Sequence, residues 1–366
     1  MDSRGLHHFA SFVRELNGEC TLLRIFGDNL VAGSRLGDLA CWSIGSGTEI
    51  WRILVEGPCS DCDLEGDLLC VSESDKLHAI DIRTGEFLWN CELEGSSDFV
   101  RISGGVWATS SVYTIEIQDY TEASVWLFDK EGQVGGKWEI EGKAWFLAAE
   151  SDLVTVGLGR PKCGYANVAI GEGPVYFSVD NKSPITTGAV SDEGSRYLGH
   201  SDGGISEITG EGSSSHKVES GSVTSITIEE DWLAGFESGC VLSGPSLGSW
   251  STEVGGSVDA VCLGPSLRGE GCVWSSSWSE KAKLSLLDKI SGDIQFEVSH
   301  GSRIGKICSA GKTITLGDSE GNIFLIEEGV LRRRFEQVEE GFVEGKKRSL
   351  IRRRINSLRK DDLQWK

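Results

Sequence analysis

The stretch "LHAIDIRTGEFLWNCELEG" (Leu77–Gly95) decides the fold. It reads as a strand, a tight turn ending in Thr84-Gly85, and a second strand that carries Trp89 and stops at a glycine. The preceding stretch, "NLVAGSRLGDLACWSIGSGTEIWRILVEG" (Asn29–Gly57), has the same grammar. In both, a tryptophan on the last strand stands six residues before a glycine: Trp51 and Gly57, then Trp89 and Gly95. Trp250 and Gly256 repeat that interval, and looser copies pair Trp138 with Gly142 and Phe296 with Gly301.

A second marker is Gly-x-x-x-Gly between two strands, at Gly33–Gly37, Gly199–Gly203, Gly235–Gly239 and Gly317–Gly321. The offset from Gly199 to Gly235 is 36 residues and from Gly235 to Gly317 it is 82, about two periods of ~40. Four short strands per ~40 residues is the period of a propeller blade. One such sheet cannot bury both faces alone; neighbours stacked around an axis cover them, and closing the ring removes the exposed end. The outer-strand Trp or Phe would fill the wide gap between diverging blades, and the glycines would supply the positive φ of tight hairpins.

Cutting at these markers predicts an all-β propeller of about eight four-stranded blades, at 20–57, 58–95, 96–142, 143–184, 185–221, 222–256, 257–301 and 302–337. Seven blades result if the fourth and fifth are one decorated unit, because "VGLGRPKCGYANVAIGEGP" interrupts the pattern. Residues 1–19 form a separate N-terminal segment, in which 9–17 is either a ring-closing strand or a short helix. Residues 338–366 form a basic tail helix.

Composition agrees with a turn-rich β protein: among 366 residues there are 48 Gly and 12 Trp, against 1 Met and 6 Pro. No segment approaches the ~20 apolar residues of a membrane-spanning helix, and the N-terminal stretch lacks a signal-peptide core. The eleven cysteines are odd in number, and several stand among strand-like apolar residues. They read as buried thiols in a reducing compartment, so the expected location is the cytoplasm.

"AIDIRTGEFLW" (Ala79–Trp89) resembles the repeat of the pyrroloquinoline-quinone-like propellers, Ala-x-Asp-x-x-Thr-Gly-x-x-x-Trp, at Ala79, Asp81, Thr84, Gly85 and Trp89. "LLDKISGDIQF" (Leu286–Phe296) is a degraded copy, and "ACWSIGSGTEIW" (Ala40–Trp51) carries one inserted residue. WD-repeat propellers are similar in outline, but their Gly-His dipeptide occurs only at Gly199-His200 and their Trp-Asp dipeptide nowhere. The resemblance implies blade architecture. The quinone and calcium of the family's dehydrogenases are not implied, because no adjacent cysteine pair and no distinct acidic ligand cluster is present. No cofactor is therefore expected.

Other chemical motifs weigh toward structure. "GPSLG" (Gly244–Gly248) matches a hydrolase nucleophile elbow, but it falls between strands of a blade, where a hairpin turn accounts for it. Cys59 and Cys62 form one Cys-x-x-Cys without a second ligand pair, and the adjacent Asp61 and Asp63 oppose thiolate formation. The six histidines are scattered, with His7 and His8 in a mobile N-terminal stretch and His200 in a hairpin turn. The glycine-rich insertion 157–174 is expected as an exposed loop at one mouth of the ring, offering Arg160, Lys162 and Tyr165 as partner contacts.

Charge is more informative. The chain carries −21, yet residues 332–366 hold twelve Lys or Arg against six Asp or Glu, leaving 23 against 50 elsewhere. An acidic body repels nucleic acid and anionic lipid. In the tail, Ile351, Ile355 and Leu358 fall at i, i+4 and i+7, among Lys346, Lys347, Arg348, Arg352, Arg353 and Arg359. Such a helix docks on its own propeller, binds an acidic protein, lies on an anionic membrane or touches nucleic acid; the first two need only the attraction of opposite net charges. The reading reached is a non-enzymatic, intracellular scaffold for a protein partner, tethered or regulated by the tail. The alternatives are a ligand-binding or enzymatic funnel, and a tail that binds nucleic acid or an anionic surface.

Overall fold

A computed structural model describes residues 5–337 apart from 211, 220 and 268–270. Among them are eight four-stranded antiparallel sheets, seven built from consecutive strands. The blades are 20–54, 59–92, 96–141, 144–177, 185–217, 223–253 and 257–300, and the eighth combines 304–327 with Phe12–Glu15. The cuts made at Trp and Gly thus separate the first seven sheets, and the ambiguous fourth and fifth units are two blades; the eighth sheet stops at Glu327, short of the expected 337, because its outer strand comes from Phe12–Glu15. The first strand of each blade contacts the first strands of its neighbours around the ring, so first strands are innermost.

Burial follows from position. The middle strands are covered on both faces, as in Asn29–Ser34 and Asp38–Ser43, and read as near-continuous apolar runs. The outer strand Glu49–Leu54 is mostly exposed and buries Trp51. The two glycines of each Gly-x-x-x-Gly marker have different duties. Gly37 takes φ 81°, and an added Cβ would lie 2.2 Å from the Val55 carbonyl oxygen where the chain crosses to the next blade. Gly33 needs no unusual φ. A Cβ there would lie 2.5 Å from the Cβ of Cys59, which starts the next blade's first strand. Gly199, Gly235 and Gly317 meet Val223, Val258 and Cys20 in the same way, so this glycine marks where blades pack closest. That corrects the expectation that all the marker glycines serve hairpin φ.

In every blade the first strand slips register by one residue near its start. Such bulges re-aim a side chain, and here the extra residue reaches the following blade or the crossing that leads into it. Asp98 meets Lys143 at 3.2 Å, Asp259 meets Arg303 at 2.6 Å, and Thr186 Oγ1 donates to Val223 O at 2.7 Å.

The two readings of the N-terminal segment fall in adjacent stretches. Leu6–His8 is a 3-10 turn, and Phe12–Glu15 is a strand paired with Asn322–Glu327 as the outer strand of blade 8. The segment is anchored, against the expectation of a mobile stretch. The His7 ring meets Phe324 edge-on at 4.9 Å, and Leu6 and Phe9 are buried. After Glu327 a helix occupies 328–337, with Leu331 buried in the same core and Arg334 donating to the carbonyls of His8 and Ala10.

Candidate functional site

Antiparallel alternation assigns every turn to one of two faces. The upper face carries the turns between second and third strands and the crossings between blades. The lower face carries the first-to-second and third-to-fourth turns, together with the 3-10 turn and helix 328–337.

On the upper face, blade 3 departs from the rest. Its second and third strands, Val106–Thr114 and Asp119–Phe128, continue beyond their neighbours. The first strand is paired only as far as Ser111 and the fourth only as far as Glu122, while Tyr113 still pairs with Tyr120 and Thr114 with Asp119. The hairpin therefore stands out from the blade, with Tyr113, Ile115 and Ile117 exposed, Ile115 at 78%. Isolated exposed apolar residues are ordinary, but a projecting cluster is a recognition feature.

Its base is held by charge and rings. Lys143 Nζ lies 3.8 Å from the Tyr120 ring centroid, 5.0 Å from that of the exposed Trp145, and 3.2 Å from Asp98 Oδ1. Burial raises the Asp98 carboxyl above its usual range, although Lys143 and the Ser111 hydroxyl pull the other way. The sequence signal is "VYTIEIQDY" (112–120), alternating apolar residues where blades 1, 4, 5, 6 and 8 place a glycine-containing turn.

Of the partner contacts expected from sequence, Arg160 and Lys162 lie in the 159–164 turn of blade 4, exposed on this same face. Lys162 Nζ stands 4.5 Å from the Tyr176 ring and 3.5 Å from Glu141. Tyr165 differs: it opens the third strand, half-buried and stacked on Phe177 at 4.9 Å. The supposed insertion is thus two turns on opposite faces flanking a strand, Tyr165–Ala169, since only that pairing gives blade 4 its third strand. Lys346, Lys347, Arg348, Ile351, Arg352, Arg353, Ile355, Leu358 and Arg359 lie outside the described residues.

Pro245–Leu247 is a 3-10 turn between the third and fourth strands of blade 6. Ser246 lines a cleft with His216 and Asp231, but the Asp231 oxygens accept the backbone N–H groups of Trp232 and Ser246, both at 2.8 Å. No hydrogen bond joins Ser246 Oγ to His216 among the described residues, so the serine–base–carboxylate relay is not assembled. Cys59 and Cys62 are buried on the first strand of blade 2. Burial raises Cys59 to about 12 and Cys62 well above the usual thiol value, with Asp61 adding to the latter. Asp61 is itself pushed up by burial, but Arg101 and Arg24 outweigh this and hold it low.

His200 is fully buried at a strand end, not exposed in a turn. Its Nδ1 is 2.9 Å from Ser183 O and its Nε2 2.7 Å from Ser206 Oγ. His78 and His300 meet the buried carboxylates of Glu73 and Asp318, at 2.9 and 2.8 Å. Among the described residues no group of three or more His, Cys, Asp or Glu is placed to hold a metal ion.

A family model described as outer membrane protein assembly factor BamB matches residues 12–134, which span the closing strand, the first two blades and the first three strands of the third. No curated protein sequence matches. Among solved structures, Saccharomyces cerevisiae Sqt1 is similar with a TM-score of 0.70 at 10% identity, over 87% of this chain and 98% of that one. BamB from Moraxella catarrhalis is similar with a TM-score of 0.67 at 17% identity, over 87% of this chain and 97% of that one. Sqt1 of Chaetomium thermophilum, in a structure bound to the N-terminus of the ribosomal protein L10, gives 0.64 at 12% identity, over 87% and 99%. Eight closed blades and these likenesses make the chain an eight-bladed β-propeller whose residues 12–134 are similar to the BamB family model.

Proposed function

We propose that this propeller is a non-enzymatic scaffold that binds a protein partner on its upper face, in a cytoplasmic setting, with the basic segment 346–359 as a tethering or regulating element. The observation that carries the reading is the blade 3 hairpin. A rigid ring holds Tyr113, Ile115 and Ile117 clear of the surface, beside Lys143, Trp145, Arg160 and Lys162. Aromatic and aliphatic anchors ringed by charge are what partner surfaces use, because burying them on association is favourable and the rim sets orientation. The similar Sqt1 structure with a bound ribosomal protein terminus supports a protein partner for this architecture. All eleven cysteines are free, which supports a reducing compartment.

The test is affinity capture with the full chain and with an Ile115→Ser/Ile117→Ser variant. The variant is expected to keep its melting temperature and to lose at least ten times the yield of the main captured protein. Equal yields would overturn the assignment of this face.

A further inference from the structure

A second recognition element lies on the lower face. Between blades 5 and 6 is a cleft of about 240 Å³ whose walls include Tyr197, Glu207, His216, Glu230, Asp231 and Trp232. Its character is aromatic and anionic. Glu207 accepts only the Tyr197 hydroxyl, at 2.8 Å, and Asp231 accepts only backbone amides among the described residues. Glu193, Glu207, Glu230 and Asp231 form no ion pair with any described cation, while neighbouring carboxylates do find partners, Glu150 with Arg196 and Glu229 with Lys289. The field of this group is felt inside the cleft. Burial, the bond to Glu207 and the charges of Glu207, Asp231 and Glu193 all raise the Tyr197 hydroxyl's pKa. Aromatic walls with uncompensated carboxylates suit a guanidinium or ammonium group, which stacks on a ring while its N–H groups meet carboxylate oxygens.

The chain supplies such groups on the same face. Helix 328–337 leaves blade 8 where a third-to-fourth strand turn would stand, which is the lower face, and Glu230 and Ser246 at the rim of the cleft belong to lower-face turns. Residues 346–360, "KKRSLIRRRINSLRK", contain eight Lys or Arg and no Asp or Glu. The chain length allows it: sixteen residues, 338–353, can span at most about 55 Å, against a ~50 Å diameter for a compact chain of this size. Blades 6 and 5 are only two and three places from blade 8 around the ring.

We infer that the cleft between blades 5 and 6 receives the chain's own basic segment, 346–360, an arginine entering between Trp232 and the carboxylates of Glu207 and Glu230. The attachment is intramolecular and leaves the upper face open, so it stands apart from the reading of the blade 3 hairpin.

Zero-length carbodiimide cross-linking of the full chain at micromolar concentration tests this. Links from Lys346, Lys347 or Lys360 to Glu193, Glu207 or Glu230 are expected within the monomer. Links confined to other carboxylates, links only between two copies, or no links would overturn the inference. A second readout is the initial rate of trypsin cleavage within 346–360. A Glu193→Lys/Glu230→Lys variant, altered only at exposed turn residues, is expected to be cut about ten times faster at an unchanged melting temperature. An unchanged rate would overturn the inference as well.

Discussion

The indole Nε1 of Trp51 donates to the Ile82 carbonyl at 2.6 Å, and its ring lies over Gly85, so closely that a Cβ on Gly85 would sit 2.7 Å from Cγ. The tryptophan is on the outer strand of one blade and the glycine in a turn of the next. Trp89 with Lys130 O and Gly132, and Trp250 with Lys289 O and Gly292, repeat the arrangement at 2.8 and 2.9 Å. An aspartate braces each of these turns by accepting its amides: Asp81, Asp129 and Asp288. The Asp-x-x-Thr-Gly-x-x-x-Trp repeat is therefore an inter-blade joint. Its glycine receives the preceding blade's tryptophan, and its own tryptophan reaches forward to the next. At the ring closure Phe12 and Arg14 take the tryptophan's place, packing on Gly47 with Arg14 Nε donating to its carbonyl at 2.9 Å.

Gly85→Ala is expected to destabilise the protein by about 3 kcal/mol, because φ is 75° and the added methyl collides with Trp51. Gly66→Ala, at φ 62° with open space around it, is expected to cost about 1 kcal/mol. Denaturant unfolding of both variants checks the contrast; equal losses would mean that the joint adds nothing beyond turn strain.

Arg14→Met keeps the bulk of the closing strand and removes its donor to Gly47. The expected loss is about 1 kcal/mol. Hydrogen exchange should quicken at residues 12–16 and in the Gly47 turn, and change little in blades 3 to 6.

The eleven thiols should divide by burial. Burial raises Cys20 and Cys59 to about 12, and Cys62 is raised well above the usual value, so these three stay unalkylated by iodoacetamide in the native protein at pH 8. The half-buried Cys91, Cys163 and Cys240 should react first, and all eleven should react in denaturant. Fast native labelling of Cys59 and Cys62 would reopen a redox role.

Burial lowers the His200 pKa, against the Ser183 carbonyl and Asp202, which favour the charged form. The unfolded chain then binds the proton more readily, so stability falls as pH drops through the ordinary histidine value near 6.5 toward the lower folded one. Above about 6.5 this penalty is absent. His200→Gln should flatten the decline of melting temperature between pH 7.5 and 5.5; an unchanged slope would show that His200 takes no part.

The blade period and most boundaries are legible because Trp51, Trp89 and Trp250 and the turn glycines recur locally, each near the strands it connects; the choice between seven and eight blades is not, because no such marker falls within 157–174. What the motif residues touch was not legible, since Gly33 meets Cys59 and Trp89 meets Lys130 across blades, and spacing within one unit does not reveal its neighbour. The same limit hid the candidate site. Arg160 and Lys162 stood out as charged residues in a glycine-rich stretch, whereas "VYTIEIQDY" resembles any strand until its flanking strands are seen to end at Ser111 and Glu122. Tyr165 was misplaced because the stretch 157–174 conceals a third strand whose pairing, Gly157 with Tyr165, is irregular only in its turn.

The most direct test of the scaffold reading is hydrogen exchange of the full chain with and without its captured partner. Slowed exchange concentrated at residues 112–122, 143–145 and 159–164 is the predicted result. Slowing confined to the lower-face turns, or to the innermost first strands alone, would contradict it.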